Sequence, residues 1–228
     1  DACHAPGGSY IDSKGIKRMV GDCHYADLTC FSFHPVKHIA TGEGGCVTTN
    51  NPKLNQRLNL FRTHGITKDP NHLTKIDGGW YYEMQELGYN YRITEIQAAL
   101  GISQLSRLDW SIKRRNEIAQ KYDKAFINTP IKTPYRDKNI THAFHLYIIQ
   151  VEKRKELYNY LRQNKVFSQV LYVPAHLMPY YRQFGWKEGD CPIAEEYYKH
   201  CLALPMFPSL TEEEQDWVIA KVYEYFKN

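Results

Sequence analysis

The spacing of apolar and polar residues predicts short strands followed by a helix in the first part of the chain. Residues 28–33 (LTCFSF) and 46–49 (CVTT) have the length of strands, and the first is apolar almost throughout, as in a strand covered on both faces. Asn51 and Pro52 predict a helix start, because Asn caps helix N-termini and Pro fits the first helical position. We expect this helix to end near Gly65.

A longer helical pattern runs from Ile93 to Phe126, with one break expected near Asp109. We interpret it as a connecting helix and predict a domain boundary directly behind it. Residues 1–126 would then form an α/β domain that includes the connector, and residues 127–228 a smaller α+β domain. The apolar positions of the pattern are Ile96, Ala99, Leu100, Ile102, Leu105, Ile112, Ile118, Ala119 and Tyr122.

The chain beyond the connector alternates between strand and helix patterns. Residues 145–151 (HLYIIQV) and 168–173 (SQVLYV) are predicted strands, and residues 154–164 between them a helix. Thr211, followed three residues later by Glu214, has the spacing of a capping box. It predicts an amphipathic helix at the C-terminal end.

Composition excludes several classes of protein. The chain has 228 residues, 43% of them hydrophobic, which is enough for a packed core. No run of about 18 apolar residues occurs, and residues 1–20 lack a signal-peptide pattern, so we expect a cytoplasmic protein. The net charge of +4 comes from interspersed basic and acidic residues, unlike a nucleic-acid footprint. The six cysteines lack the spacing of a zinc site or a disulfide framework, and we expect reduced thiols and no bound metal.

The sequence opens at Asp1, without an initiating methionine, and continues as DACHAPGG. This stretch is typical of the end of a buried strand rather than of a beginning. We therefore expect a further segment of the protein upstream of Asp1.

A single lysine, Lys37, follows the apolar run and precedes a glycine-rich turn. One interpretation is structural: the aliphatic stem lies on apolar surface while the ammonium group reaches water. The other is chemical, because an amine in a partly desolvated pocket loses its proton more readily and can attack an aldehyde as a Schiff-base lysine.

Neighbouring residues favour the chemical interpretation. Ser32 and the turn at 41–45 (TGEGG) offer a hydroxyl and a permissive backbone near the lysine, which suits a bound phosphate. Taken singly, each is equally typical of an ordinary turn. Asp1 adds a carboxylate at a strand end, where the pyridinium nitrogen of pyridoxal phosphate would supply the cation that such a group needs.

Other patterns have weaker functional interpretations. Cysteine and histidine are adjacent at 3–4 and 23–24, but adjacent residues rarely both reach one metal ion. The tyrosine-rich stretch 158–181 mixes aromatic and basic residues, as single-strand nucleic-acid binders do, yet its periodicity fits core packing better. Three histidines lie near the lysine in sequence, and for each a hydrogen-bonded structural role competes with a substrate contact: His34, His38 and His64.

Several motifs together resemble a known family, the DegT-type sugar aminotransferases, which are vitamin B6 enzymes. The resemblance rests on DACHA, FSFHPVKHIATGEGGCVTTN, LFRTHG, LGYNYRITEIQAALGISQL and LALPMFPSLTEEE, in this order and across nearly the whole chain. Within the family, FHPVKHIATGEGG and GWYYEMQELGYNYRITEIQAALG are most similar to the 4-aminotransferases of the pseudaminic acid pathway. These belong to the cell-surface polysaccharide and amino-sugar biosynthesis enzymes.

The resemblance implies a fold and a set of cofactor contacts. The fold is the α/β PLP-dependent transferase fold of the aspartate aminotransferase type (fold type I), here the second part of the large domain plus the small C-terminal domain. Lys37 would bond covalently to pyridoxal 5'-phosphate and move the proton during catalysis. Asp1 would pair with the pyridine nitrogen, His4 would lie beside the ring, and Ser32 would hold the phosphate.

The resemblance also implies a homodimer with shared sites. Asn90 matches an asparagine that reaches the cofactor phosphate of the neighbouring subunit. Arg92 is expected to contact the substrate or to pair with a carboxylate within the fold, and His34 and His64 are candidate substrate contacts. For Asn90 and Arg92, structural capping is the alternative interpretation. The family's glycine-rich phosphate turn, its stacking aromatic residue and several sugar contacts lie in a segment absent from this sequence.

The implied reaction is a ping-pong transamination. An amino acid, by analogy glutamate, would convert the cofactor to pyridoxamine 5'-phosphate, whose amine would pass to the C4 ketone of a UDP-linked 4-keto-6-deoxy-N-acetylhexosamine. Two alternatives stay open: a dTDP- or GDP-linked sugar aminated at C4 or C3, and a non-catalytic remnant that dimerises or binds a sugar nucleotide. The family's dehydrases carry histidine in place of the lysine, so Lys37 argues against that branch.

Overall fold

The computed structural model describes residues 1–227, which form two compact units: residues 1–108 and the residues from 109 onward. No helix within the described residues is both long and apolar enough to cross a bilayer. The predicted domain boundary behind residue 126 stays a prediction.

The first unit contains short antiparallel strand pairs and two helices. Its elements are β1 (Ser9–Ile11), β2 (Lys17–Met19), β3 (Thr29–Ser32), β4 (Gly45–Thr48), α1 (Pro52–Arg62), β5 (Ile66–Thr67), β6 (Glu83–Met84) and α2 (Glu95–Leu105). The pairs are β1 with β2, β3 with β4, and β5 with β6.

Both strands predicted at the start of the chain are confirmed as β3 and β4. They pair antiparallel, with Phe31 opposite Cys46 and Ser32 opposite Gly45. The expectation that the first strand is covered on both faces is not met by residues 1–227, since Cys30 is exposed and its neighbours are only half-buried. An apolar run shows that a strand can be covered, but not which segment covers it.

Helix α1 begins as predicted. The side chain of Asn51 accepts hydrogen bonds from the backbone N–H groups of Lys53 and Leu54, and Pro52 occupies the first helical position. The helix ends at Arg62, and His64 and Gly65 follow with φ values of 59° and 70°.

Gly65 and Gly88 face each other directly behind α1. A Cβ atom on Gly65 would collide with the backbone carbonyl of Glu86, and a Cβ atom on Gly88 would collide with the backbone N–H of Gly65. The two segments therefore lie backbone against backbone at this point, which only glycine allows.

The long helical pattern is broken slightly earlier than expected. Helix α2 ends at Leu105 and α3 (Leu108–Phe126) begins three residues later, so the break lies at Ser106 and Arg107 instead of near Asp109. Thr94 and Gln97 form a capping box at the start of α2, a feature that its T-x-x-Q spacing could have predicted.

The second unit is built around helix α3 and the strand pair β8–β9. Further elements are β7 (Ile140–Thr141), β8 (Tyr147–Gln150), α4 (Arg154–Gln163), a 3₁₀ turn (Ala175–Leu177), α5 (Pro179–Arg182), α6 (Pro192–His200), β9 (Cys201–Leu204) and α7 (Glu212–Lys227). Strands β8 and β9 are antiparallel. The core between these elements includes Tyr122, Phe126, Tyr147, Leu157, Leu161 and Leu202.

One predicted strand in this unit is wrong. Residues 168–173 do not form a strand, because only Gln169 pairs there, exchanging both backbone hydrogen bonds with Ala203 at 3.2 and 2.8 Å. Pro174 follows shortly afterwards and lacks the N–H that a continuing ladder would need. The capping box at the C-terminal helix is confirmed: Thr211 N–H donates to Glu214, and Glu214 N–H donates to Thr211 Oγ1.

Candidate active site

The segment that contains Asp1 and His4 lies beside strand β3. The backbone N–H of Ala2 donates to the carbonyl of Cys30 at 2.8 Å. Asp1 accepts a hydrogen bond from Cys3 N–H at 2.8 Å through Oδ1, which leaves Oδ2 able to accept from a ligand. The carboxylate predicted to face a pyridine nitrogen is therefore exposed and held next to the strand that leads to Ser32.

Lys37 lies in a loop that leaves β3 and returns to it. Its backbone N–H donates to the carbonyl of His34 at 2.9 Å, and Thr41 N–H closes the loop on the carbonyl of Phe33 at 2.9 Å. Lys37 is half-buried, whereas His34 is exposed. The loop is thus closed on the end of β3, with Lys37 partly shielded from solvent.

His4 and Lys37 are close enough to interact electrostatically. Burial lowers the pKa of His4 below its ordinary value of 6.5, and the positive charge of Lys37 lowers it further. Both effects favour the uncharged form of the imidazole. A neutral ring beside the amine suits contact with a flat, apolar ring face.

Ser32 completes this first group of residues. Its Oγ accepts a hydrogen bond from His34 N–H at 3.3 Å, and its own O–H is available as a donor. The structure therefore brings Asp1, His4, Ser32 and Lys37 together around the end of β3, and His34 lies at the rim of the same loop.

The other three predicted residues form a second group. Asn90 pairs with Thr63 in an isolated β-bridge, and His64 N–H donates to the carbonyl of Tyr89 at 2.8 Å. Arg92 follows two residues after Asn90, and both side chains are exposed, while His64 is half-buried. The structure therefore brings these three residues onto neighbouring backbone segments.

The glycine-rich turn at 41–45 has internal reasons for its glycines. A Cβ atom on Gly44 would lie 2.8 Å from Thr41 Oγ1, and one on Gly45 would lie 2.5 Å from the carbonyl of Phe31. Thr41 itself is buried, and its hydroxyl donates to the carbonyl of Glu43 at 2.6 Å. Sequence reasoning missed Thr41, because nothing in the motif indicates that its side chain points inward.

The first group has the chemistry of a site for an aldehyde-bearing, phosphorylated aromatic cofactor. It offers a primary amine, a hydroxyl donor, a carboxylate acceptor and an imidazole around the end of β3. In residues 1–227, no three His, Cys, Asp or Glu side chains are grouped so that they could hold a metal ion.

Comparison with protein families decides the relationship. Residues 1–223 match the DegT/DnrJ/EryC1/StrS aminotransferase family. The chain belongs to this family. Membership confirms the resemblance drawn from the motifs around Lys37 and Asn90.

Three curated relatives give the scale of similarity. The spore coat polysaccharide biosynthesis protein SpsC of Bacillus subtilis is 39% identical over 100% of this chain and 59% of its own length. The UDP-4-amino-4,6-dideoxy-N-acetyl-beta-L-altrosamine transaminase of Campylobacter jejuni is 35% identical over 96% of this chain and 55% of its own. The GDP-perosamine synthase of Escherichia coli O157:H7 is 33% identical over 100% and 58%.

Comparison with solved structures confirms the fold. Spr1654 of Streptococcus pneumoniae, in its PLP-form, superposes with a TM-score of 0.87 at 28% identity, covering 100% of this chain and 57% of its own. PseC of Helicobacter pylori, an aminotransferase of pseudaminic acid biosynthesis, gives 0.86 at 30% identity, covering 100% and 58%. The chain therefore has the fold-type I architecture expected from its motifs, and it spans a little over half the length of the relatives that it matches.

Proposed function

We propose that this chain carries the lysine of a PLP-dependent nucleotide-sugar aminotransferase. The observation that carries the proposal is the half-buried Lys37 in the loop behind β3, with His4 close enough to interact with it and with Ser32 and the Asp1 segment at the same strand. Family membership supports the reaction class.

The residues of the first group would divide the work as follows. When bound, pyridoxal phosphate supplies an aldehyde that bonds reversibly to amines and a ring that accepts electron density. Lys37 Nζ would hold the cofactor and then carry the proton to and from the substrate carbon. Ser32 Oγ would donate to the phosphate, Asp1 Oδ2 would accept from the pyridine N–H, and His4 would pack beside the ring.

The proposed amino donor is glutamate, and the proposed acceptor is the C4 ketone of a UDP-linked 4-keto-6-deoxy-N-acetylhexosamine. The acceptor follows the name of the Campylobacter transaminase and the motifs shared with the pseudaminic acid enzymes. The similarity to a GDP-perosamine synthase supports a GDP-linked sugar as the second candidate. The proposed compartment is the cytoplasm, where the six cysteines, all free in the structure, would stay reduced.

We further propose a homodimer in which the second group serves the partner's site. Asn90 would donate to the partner's cofactor phosphate, and His64 and Arg92 would contact its substrate. Exposed apolar side chains near this group support an interface: Trp80 is 75%, Tyr91 71% and Ile96 84% exposed.

The proposal is tested by loading the protein with pyridoxal phosphate, treating it with borohydride and mapping the label by mass spectrometry. We expect a near-visible absorption band and a phosphopyridoxyl group on Lys37, no label at this site in Lys37→Ala, and normal labelling in Lys53→Ala, which removes an exposed lysine. A label on another lysine in the native protein would contradict the assignment.

The same preparation identifies donor and acceptor. Glutamate should bleach the near-visible band, and the UDP-linked keto sugar should restore it. Restoration only by a GDP- or dTDP-linked sugar would select the second candidate. If glutamate has no effect and no sugar is aminated, the result favours the non-catalytic interpretation.

A further inference from the structure

The loop that carries Lys37 is closed at its base by two residues of the glycine-rich turn. Thr41 N–H donates to the carbonyl of Phe33 at 2.9 Å, and Phe33 N–H donates to the carbonyl of Gly44 at 2.8 Å. Any movement of Thr41 or Gly44 is therefore transmitted to the backbone on either side of Lys37.

The side chain of Thr41 is packed between this turn and helix α2. It is 2% exposed, and its Oγ1 donates to the carbonyl of Glu43 at 2.6 Å. A Cβ atom on Gly101 of α2 would lie 3.1 Å from Thr41 Cγ2, which is closer than ordinary contact. The hydrogen bond from the hydroxyl to the carbonyl of Glu43 fixes the shape of the turn.

Gln97 joins the same carbonyl to the start of helix α2. Its Oε1 accepts from the backbone N–H of Thr94 at 3.0 Å, as the acceptor of the capping box, while its Nε2 donates to the carbonyl of Glu43 at 2.9 Å. One amide thus caps the helix and holds the turn. The Glu43 carbonyl receives two side-chain donors, a complete use of its two lone pairs.

We propose that Thr41 and Gln97 are positioning residues for Lys37, which hold the turn at 41–45 so that the Lys37 amine stays at the reacting carbon. This proposal rests on the proposed function, because Lys37 must be the catalytic lysine. In this proposal the glycine-rich turn supports the lysine loop. The close contacts at Gly44 and Gly45 explain why these residues are glycines, without a bound ligand.

The substitutions that test this proposal remove the hydrogen bonds to the Glu43 carbonyl while preserving the fold. Thr41→Val keeps the shape of the side chain and removes the hydroxyl. Thr41→Ser keeps the hydroxyl and removes the methyl group. Gln97→Glu keeps the acceptor that caps α2 but loses the donor to Glu43. Gln163→Glu makes the same charge change at an exposed position of α4 and serves as the control.

The first measurement needs no cofactor. In Thr41→Val and Gln97→Glu, we expect the backbone amides of Phe33, Lys37 and Thr41 to exchange hydrogen roughly five- to tenfold faster, as for the loss of one hydrogen bond. Thr41→Ser and Gln163→Glu should exchange like the native protein. Unchanged exchange in Thr41→Val and Gln97→Glu would overturn the proposal.

The second measurement uses the cofactor-loaded protein. In Thr41→Val and Gln97→Glu, we expect kcat to fall by roughly ten- to a hundredfold, because a small displacement of a reacting group slows the reaction strongly. We also expect the midpoint of the pH titration of the near-visible band to move. Thr41→Ser should recover both. Faster exchange with native kcat and midpoint would mean that Thr41 and Gln97 only stabilise the turn. A native protein that binds no cofactor would instead contradict the proposed function itself.

Discussion

At the scale of single residues, Glu195 shows how a buried carboxylate can hold a loop. It accepts hydrogen bonds from His176 Nε2 at 2.7 Å, from Gly189 N–H at 2.9 and 3.0 Å, and from Cys191 N–H at 3.3 Å. The bond from His176 is the main reason why the pKa of Glu195 is lowered below 4.5, and the two backbone donors add to it. Glu195 thereby joins the 3₁₀ turn to the start of α6.

This arrangement makes stability depend on pH in a defined direction. A carboxyl group with a lowered folded-state pKa contributes its full stabilisation above pH 4.5, and the contribution is lost as pH falls through the folded value. We expect Glu195→Gln to lower the melting temperature by a few degrees at neutral pH and to reduce its fall below pH 4.5. Glu188→Gln, at an exposed position nearby, should change neither. Equal melting curves for the native protein and Glu195→Gln from neutral to acidic pH would refute this role.

Single residues also mark the limit of what the sequence predicts. Lys37 and Asn90 stand inside long motifs, so their candidate roles can be inferred from the sequence alone. Glu195 and Thr41 could not be found in this way, because their burial depends on segments that meet only in the folded chain. The capping pair Thr94 and Gln97 lies between these cases, since its spacing is visible but the bond to Glu43 is not.

At the scale of elements, helix α3 is tied to two other segments by one guanidinium group. Arg115 is 5% exposed, and its Nη1 donates to the carbonyls of Phe144 at 2.9 Å, His145 at 3.2 Å and Met206 at 3.1 Å. Burial lowers its pKa to about 10, so it stays charged at neutral pH. The spacing of apolar residues predicted helix α3. A basic residue such as Arg115 on the buried side of the helix does not fit that apolar pattern.

We expect Arg115→Ala to cost about 3 kcal/mol or more of unfolding free energy, because three buried carbonyls lose their donor and a cavity forms. Chemical denaturation measures this directly. Arg115→Lys should recover part of the loss, since an ammonium group can reach some of the carbonyls. Lys113→Ala on the exposed side of α3 is the control, and an equal effect of both alanine variants would show that the carbonyl contacts are unimportant.

At the scale of the whole molecule, strand and helix patterns predicted most elements, and motifs predicted the fold. The failed strand at 168–173 and the exposed Cys30 have a common cause. Local apolarity indicates that a segment needs cover, but which partner provides it depends on contacts distant in sequence. The two groups of candidate site residues also depend on contacts distant in sequence. The positions of Lys37 and Asn90 depend on how the stretch between them folds.

The proposed homodimer with shared sites predicts complementation between inactive variants. Lys37→Ala and Asn90→Ala should each have little activity, the latter through a cofactor affinity weakened by roughly one to two decades. When the two proteins exchange subunits, a mixed dimer has one site that lacks both residues and one that lacks neither. We therefore expect partial recovery of activity on mixing. Absence of recovery, with exchange demonstrated by native mass spectrometry, would mean that Asn90 acts within its own subunit.

The facing glycines at 65 and 88 have a consequence for how this sequence can evolve. Each excludes a side chain at its own position because of the backbone opposite, so a first substitution at either site carries the full steric penalty and the second cannot relieve it. Neither glycine can therefore be replaced through a neutral intermediate. His64 and Asn90 lie in the two segments that meet at these glycines. Side chains in these segments can change during evolution, but the facing glycines keep the two backbones at the same distance.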